Sequence, residues 1–149
     1  MRMSWLFCGL LVAAGAVHAK EAPPANLLDP ARIATLPRQQ ARMDVHGHPL
    51  QCEGVSLAAL LRASGAMPAT PLRGADLAKM VRIKARDGYQ VAFSLGELDD
   101  TLGAREVLLS DRCDGQPLPA EDGPWRLLVP ADHRAARAAR QVERIEVGP

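Results

Sequence analysis

The sequence predicts an α+β fold, a mixed sheet of hairpins with short helices. Three observations carry this expectation. Two alternating apolar patterns fold back around glycine-containing turns, two short helical patterns each open on a serine cap, and no strand–helix–strand unit repeats. The pattern occupies residues 39–149, preceded by an expected signal peptide at 1–19 and a Pro- and Ala-rich linker at 20–38.

The N-terminal expectation rests on Arg2, the uncharged run Trp5 to Val17, and small residues at Val17 and Ala19 before a cleavage point after Ala19. The run is short for a bilayer span, and Lys20-Glu21-Ala22-Pro23-Pro24 breaks it. An exported protein follows, periplasmic or secreted, with no membrane span after cleavage. Loss of Arg2 from the 18 Lys+Arg leaves the mature chain balanced against its 17 Asp+Glu. With aromatics at only 3%, that neutrality excludes the basic footprint and stacking platforms of a nucleic-acid binder.

In the first hairpin Ala41, Met43 and Val45 alternate toward Gly47, and Leu50 and Cys52 alternate away. A two-residue turn at Gly47-His48 sets Val45 opposite Leu50 and Met43 opposite Cys52, with Cys52 on the apolar face. Ser56 then caps a helix whose stripe is Leu57, Leu60 and Leu61, and Gly65 stops it. Val81, Ile83 and Ala85 match Tyr89, Val91 and Phe93 in parity only if Arg86-Asp87-Gly88 forms a three-residue loop. Ser94-Leu95-Gly96-Glu97 reads as a capping box. Strands are expected at Glu106 to Ser110, Arg126 to Val129 and Arg144 to Val147, with a helix from His133 to Val142. Asp114-Gly115 and Asp122-Gly123-Pro124 are turn signals on either side of a Pro-rich crossing.

Three of these segments together resemble one family. Gly54-Val55-Ser56-Leu57-Ala58-Ala59-Leu60-Leu61 is similar to the G-V-x-L-x-x-L-L element of the oxidoreductase molybdopterin-binding domain, the sulfite oxidase-like fold. Asp87-Gly88-Tyr89 followed by Ser94-Leu95-Gly96-Glu97-Leu98 resembles its D-G-Y hairpin and S-x-x-E-L. Asp114-Gly115-Gln116-Pro117-Leu118 with Gly123-Pro124-Trp125-Arg126-Leu127-Leu128-Val129-Pro130 resembles its D-G-x-P-L and G-P-x-R-L-V-V-P. The resemblance runs from about Met43 to Val147, and the likeness is to small stand-alone exported proteins made of little besides this domain.

The resemblance implies a molybdopterin cofactor, whose metal the family's enzymes hold through a cysteine thiolate in a loop upstream of the G-V-x-L helix. Residues 20–51 contain no cysteine, and Cys52 is the nearest. No cofactor is therefore firmly implied. The expected function is a binding module for a small anionic ligand or a periplasmic protein partner. The alternative is a molybdopterin-dependent oxidoreductase with Cys52 as metal ligand, passing electrons to a periplasmic partner. Asp87, Tyr89, Arg112 and Arg126 flank the motifs and are the candidate pocket residues.

In an oxidising compartment the leading expectation for Cys52 and Cys113 is a disulfide, ahead of inert buried thiols and of metal or redox chemistry. His46 and His48 lie near Cys52, but the hairpin register puts His46 on the opposite face and His48 in the turn, against a shared metal. Arg134, Arg137, Arg140 and Arg144 recur at helical spacing as a basic stripe, most simply a solvated one.

Overall fold

A computed structural model describes residues 24–149, so the expected signal peptide lies outside the described residues. The architecture is α+β, as expected, and every strand pairing is antiparallel. A five-stranded sheet contains β1 (Arg38–Val45), β2 (His48–Ser56), β5 (Leu108–Cys113), β6 (Gln116–Pro117) and β7 (Arg126–Leu128). A three-stranded sheet contains β3 (Met80–Ala85), β4 (Gln90–Ser94) and β8 (Val142–Gly148), with β3 in the middle. The helices are short: α1 (Pro30–Ile33), α2 (Leu57–Ala63) and α3 (Leu95–Leu98). None among the described residues is long and apolar enough to cross a membrane.

The main core lies between the sheets and α2. Leu57, Leu60 and Leu61 are each fully buried there with Val55, Ile83, Phe93, Leu109, Leu127 and Ile145. The Ser56 hydroxyl accepts from the Ala59 amide (3.4 Å), and Gly65 ends the helix in the left-handed region. A smaller cluster of Ala41, Met43, Val45, Cys52, Leu108, Leu128 and Ala138 fills the other face of the first sheet. Alternation explains the division, since Leu108 and Leu109, like Leu127 and Leu128, point to opposite sides. Before β1, the Leu27 amide donates to Ile145 (2.7 Å) and Ile33 is buried in the main core.

The second hairpin forms as the parity argument requires, with Val81 opposite Phe93 and Ile83 opposite Val91. The first is displaced by one residue at its turn. His46 (φ 56°) and Gly47 (φ 85°) make the loop, so Val45 faces His48, Met43 faces Leu50 and Ala41 faces Cys52. A turn with two left-handed residues suits the twist of antiparallel strands, and Asp44 fixes it by accepting from the Gly47 amide (2.7 Å). The displacement preserves parity, and Cys52 remains on the apolar face. His46 is thus the turn residue and His48 the strand residue, the reverse of the expectation.

Three other expectations are corrected. The strand expected at Glu106 to Ser110 runs instead from Leu108 to Cys113. Ser94 does cap α3, accepting from the Glu97 amide (3.0 Å), but the Glu97 carboxylate pairs with Arg105 and Arg137 rather than closing a capping box. Residues 133–142 are not an α-helix: only a 3₁₀ turn, Ala135–Arg137, forms, and Ala138 and Gln141 leave helical geometry. The backbone bonds of this segment go elsewhere. Leu127 donates to Ala139 (2.9 Å), Gln141 to Asp122 (2.8 Å) and Val142 to Trp125 (2.9 Å), so the segment lies along β7 like an irregular strand. These tertiary bonds override the helix propensity of its alanines. The arginines accordingly form no stripe: Arg137 pairs with Asp132, Arg140 with Asp122 and Arg144 with Glu146.

Candidate functional site

The sequence candidates fall in two places. Cys52 and Arg112 are together on the first sheet. Register sets Cys52 directly opposite Cys113, their Cα atoms 4.0 Å apart, and the two form a disulfide. Arg112 lies beside it, donating to the Gly115 carbonyl (2.9 Å), and with Gln40, Gln51 and Asp114 rims a hollow of about 250 Å³. Cysteine acts as a metal ligand only as thiolate. Within the disulfide, Cys52 offers none, and residues 24–51 supply no other cysteine. Among the described residues, none offers the free thiolate that a thiolate-held molybdenum would need. Among the described residues, no group of three or more His, Cys, Asp or Glu side chains could hold a metal ion.

Asp87 and Tyr89 line one hollow of a cleft elsewhere and Arg126 the hollow next to it. Three adjoining hollows of about 300, 340 and 300 Å³ share His46 and Ala135. Their walls are the β1–β2 turn, the β3–β4 turn, the Glu121–Arg126 stretch and the segment after Asp132. Each wall is pinned by its own sequence chemistry. Asp87 accepts from the Tyr89 amide (2.9 Å) and holds the three-residue loop. Tyr89 then donates its hydroxyl to the Ala136 carbonyl (2.6 Å), tying that loop to the 3₁₀ turn. Arg86 donates to the Gln141 carbonyl (3.0 Å), and Gln141 holds a left-handed φ of 49°. His46 and Gln141, two of the non-glycine residues with positive φ, both line this cleft.

Arg126 enters from β7 and is only 6% exposed. Its Nη1 donates to Asp122 Oδ2 (2.7 Å), while among the described residues its buried Nε has no hydrogen-bond partner. The other Asp122 oxygen lies 3.5 Å from Arg140 Nη1, on a side chain that is largely exposed. Two guanidinium groups therefore share one carboxylate, with His46 and His48 lining the same hollow.

Beside the cleft is a charged network that the sequence reading missed. Arg137 grips Asp132 with two parallel bonds, Nε to Oδ2 (2.8 Å) and Nη2 to Oδ1 (2.7 Å). It also donates to Glu97 (3.1 Å) and stacks 4.4 Å from the Phe93 ring centre. Arg105 reaches both Glu97 and Asp132 at 3.3 Å. The Arg137 hydrogen bond holds the Asp132 carboxyl below the usual carboxylate range, and Asp132 in turn raises the already high pKa of Arg137. Glu97 and Arg137 stand forty positions apart, which left no local signal for this pairing.

A cavity of about 690 Å³ lies away from all of these groups, between residues 24–27, the start of the loop after α2, residues 75–79 and the C-terminus. Its lining is mainly apolar, and among the described residues its one cationic side chain, Lys79, pairs with Asp76 (2.7 Å). Without convergent polar groups it is the weaker candidate.

No curated protein matches the chain. The family model for the oxidoreductase molybdopterin binding domain matches residues 39–149, a span that holds both sheets, the disulfide and the cleft. The chain belongs to the oxidoreductase molybdopterin-binding domain family.

Proposed function

We propose that this chain is an exported binding module that keeps the frame of a molybdopterin-binding domain without a working molybdenum site. Its cleft at the β1–β2 turn takes up a small anionic ligand or a periplasmic protein partner. The observation that carries the reading is the Cys52–Cys113 disulfide, which consumes the cysteine nearest to where the family's ligand would stand. Framework motifs account for the family membership, and they are turns, caps and packing residues rather than reactive groups. The rival oxidoreductase needs Cys52 as a free thiolate. Metal analysis of protein purified from the periplasm of its own host decides between them. The binding-module reading expects molybdenum far below one atom per chain, and a stoichiometric content would overturn it.

A further inference from the structure

We propose that the free edge of β1 is an interface, and that its occupant is a second copy of this chain paired antiparallel to it. The β1–β2 register runs without a slip from Arg38 opposite Val55 to Val45 opposite His48. The two-residue turn makes Val45 and His48 a hydrogen-bonded pair. Bonded and non-bonded pairs alternate from there, so Gln39, Ala41, Met43 and Val45 direct their main-chain groups at β2. Arg38, Gln40, Arg42 and Asp44 direct theirs away from the sheet, and among the described residues these groups have no main-chain partner. The β8 edge, by contrast, is closed. Leu27 donates to Ile145 there, while the Asn26 side chain accepts from the Ile145 amide (3.0 Å) and donates to the Glu143 carbonyl (3.1 Å). The β4 edge is short, Gln90–Ser94. β1 is eight residues long and carries neither a proline nor a bulge, two of the devices that commonly blunt an edge.

Charge selects the occupant and the register. A strand that pairs with its own copy about a two-fold axis presents one surface to itself, so its charges must be self-complementary. Centred on Ala41, the pairing uses all four outward residues. Arg38 then comes opposite the second copy's Asp44, and Gln40 opposite its Arg42. Centred on Gln40, Arg38 would face Arg42, and centred on Arg42, that arginine would face itself; like charges directly opposite are destabilising. A further shift to Met43 leaves only Arg42 and Asp44 paired. Arg38 is already held on the sheet face by Glu53 (3.0 Å) and Asp111 (2.6 Å), so Arg42 is the charge that decides. The axis suits close contact, because residue 41 would meet its copy in a non-hydrogen-bonded pair, the closer kind, and Ala41 brings only a methyl group. Asp44 also lines a hollow of the cleft, so the joined strands carry the two clefts at opposite ends.

The test joins sedimentation velocity of the purified protein, run across a range of concentrations, to amide hydrogen exchange. A reversible dimer is expected. The Gln40 and Arg42 amides should exchange more slowly as concentration rises, while the Gln90 and Ala92 amides of β4 stay unchanged. Gln40→Glu should tighten the dimer several-fold, since each copy then offers a carboxylate to the other's Arg42. Adding Arg42→Gln should cancel that gain. Both positions are exposed, and a glutamate keeps the acceptor that Gln40 offers to Gln51, so neither change threatens the fold. A monomer at every concentration up to about 1 mM would overturn the proposal. So would a dimer whose Gln40 and Arg42 amides exchange at the monomer's rate, because the contact would then lie elsewhere. A dimer that Gln40→Glu weakens or leaves unchanged would exclude the Ala41-centred register and overturn it too. The molybdenum content of the protein bears on the binding-module reading alone.

Discussion

A Cβ on Gly54 would collide with the Leu109 carbonyl oxygen and sit 2.6 Å from the Ser110 Cα. The two backbones close on each other there because the β2–β5 register slips between Glu53 and Gly54. The glycine of the G-V-x-L motif is thus required by space. Gly47 differs: nothing lies within 4 Å of its Cβ position, and only its φ of 85° favours glycine. Gly54→Ala should therefore cost about 3 kcal/mol or more, since backbone must move, and Gly47→Ala about 1 kcal/mol, for left-handed strain alone. Urea unfolding of the two variants checks the ordering. Asp132 supplies a pH-dependent counterpart. Its folded pKa is lowered, chiefly by the Arg137 hydrogen bond, so its contribution is present above the unfolded carboxylate pKa and is lost as pH falls through the folded value. At neutral pH Asp132→Asn should lose about 2 kcal/mol. The gap between wild type and variant should narrow below about pH 4. A gap constant from pH 7 to pH 3 would show that the ion pair is not its source.

At the scale of elements, what was legible in the sequence is what local rules decide. The Leu57, Leu60 and Leu61 stripe, the Ser56 and Ser94 caps and the three-residue Asp87 loop follow from spacing and turn chemistry, and each formed. The β1–β2 register depended on choosing between two adjacent glycine-containing turns. The choice moved every partner but preserved parity, which is why the buried face of Cys52 was still legible. The segment after His133 was not legible. Its alanines favour a helix locally, yet its backbone bonds run to Asp122, Trp125 and Leu127, and no local pattern announces partners so far away. Of the four candidate pocket residues, Asp87 and Tyr89 line one hollow and Arg126 the adjoining one, whereas Arg112 lies with the disulfide. Tyr89 links the part that was read to the part that was not. Tyr89→Phe removes its hydroxyl's bond to the Ala136 carbonyl and should cost about 1 kcal/mol locally. Hydrogen exchange should quicken at the Ala138 and Ala139 amides and stay unchanged in α2. Equal protection in both proteins would mean that the segment is held by its contacts with β7 alone.

For the whole molecule, the Cys52–Cys113 bond closes a loop of 61 residues that contains α2, β3, β4 and α3. It fastens β2 to β5, neighbouring strands of the larger sheet, and so joins the first hairpin to the part of the chain that builds the second sheet and the cleft. A cross-link over a loop of this length contributes on the order of 4 kcal/mol in the chain-entropy model. That is a large fraction of the 5–15 kcal/mol typical of a domain's total stability. The Cys52→Ala, Cys113→Ala double variant should lose about that much in urea unfolding. Its cleft should keep its geometry, because neither cysteine lines any of the three hollows there. The combination separates the two roles available to Cys52. A structural cross-link predicts lower stability with the cleft undisturbed. A metal-ligating cysteine predicts the opposite pattern in protein from its own host, in which replacing Cys52 alone removes bound molybdenum while replacing Cys113 alone leaves it. Equal loss of stability in both single variants, with no change in metal content in either, is the outcome expected here.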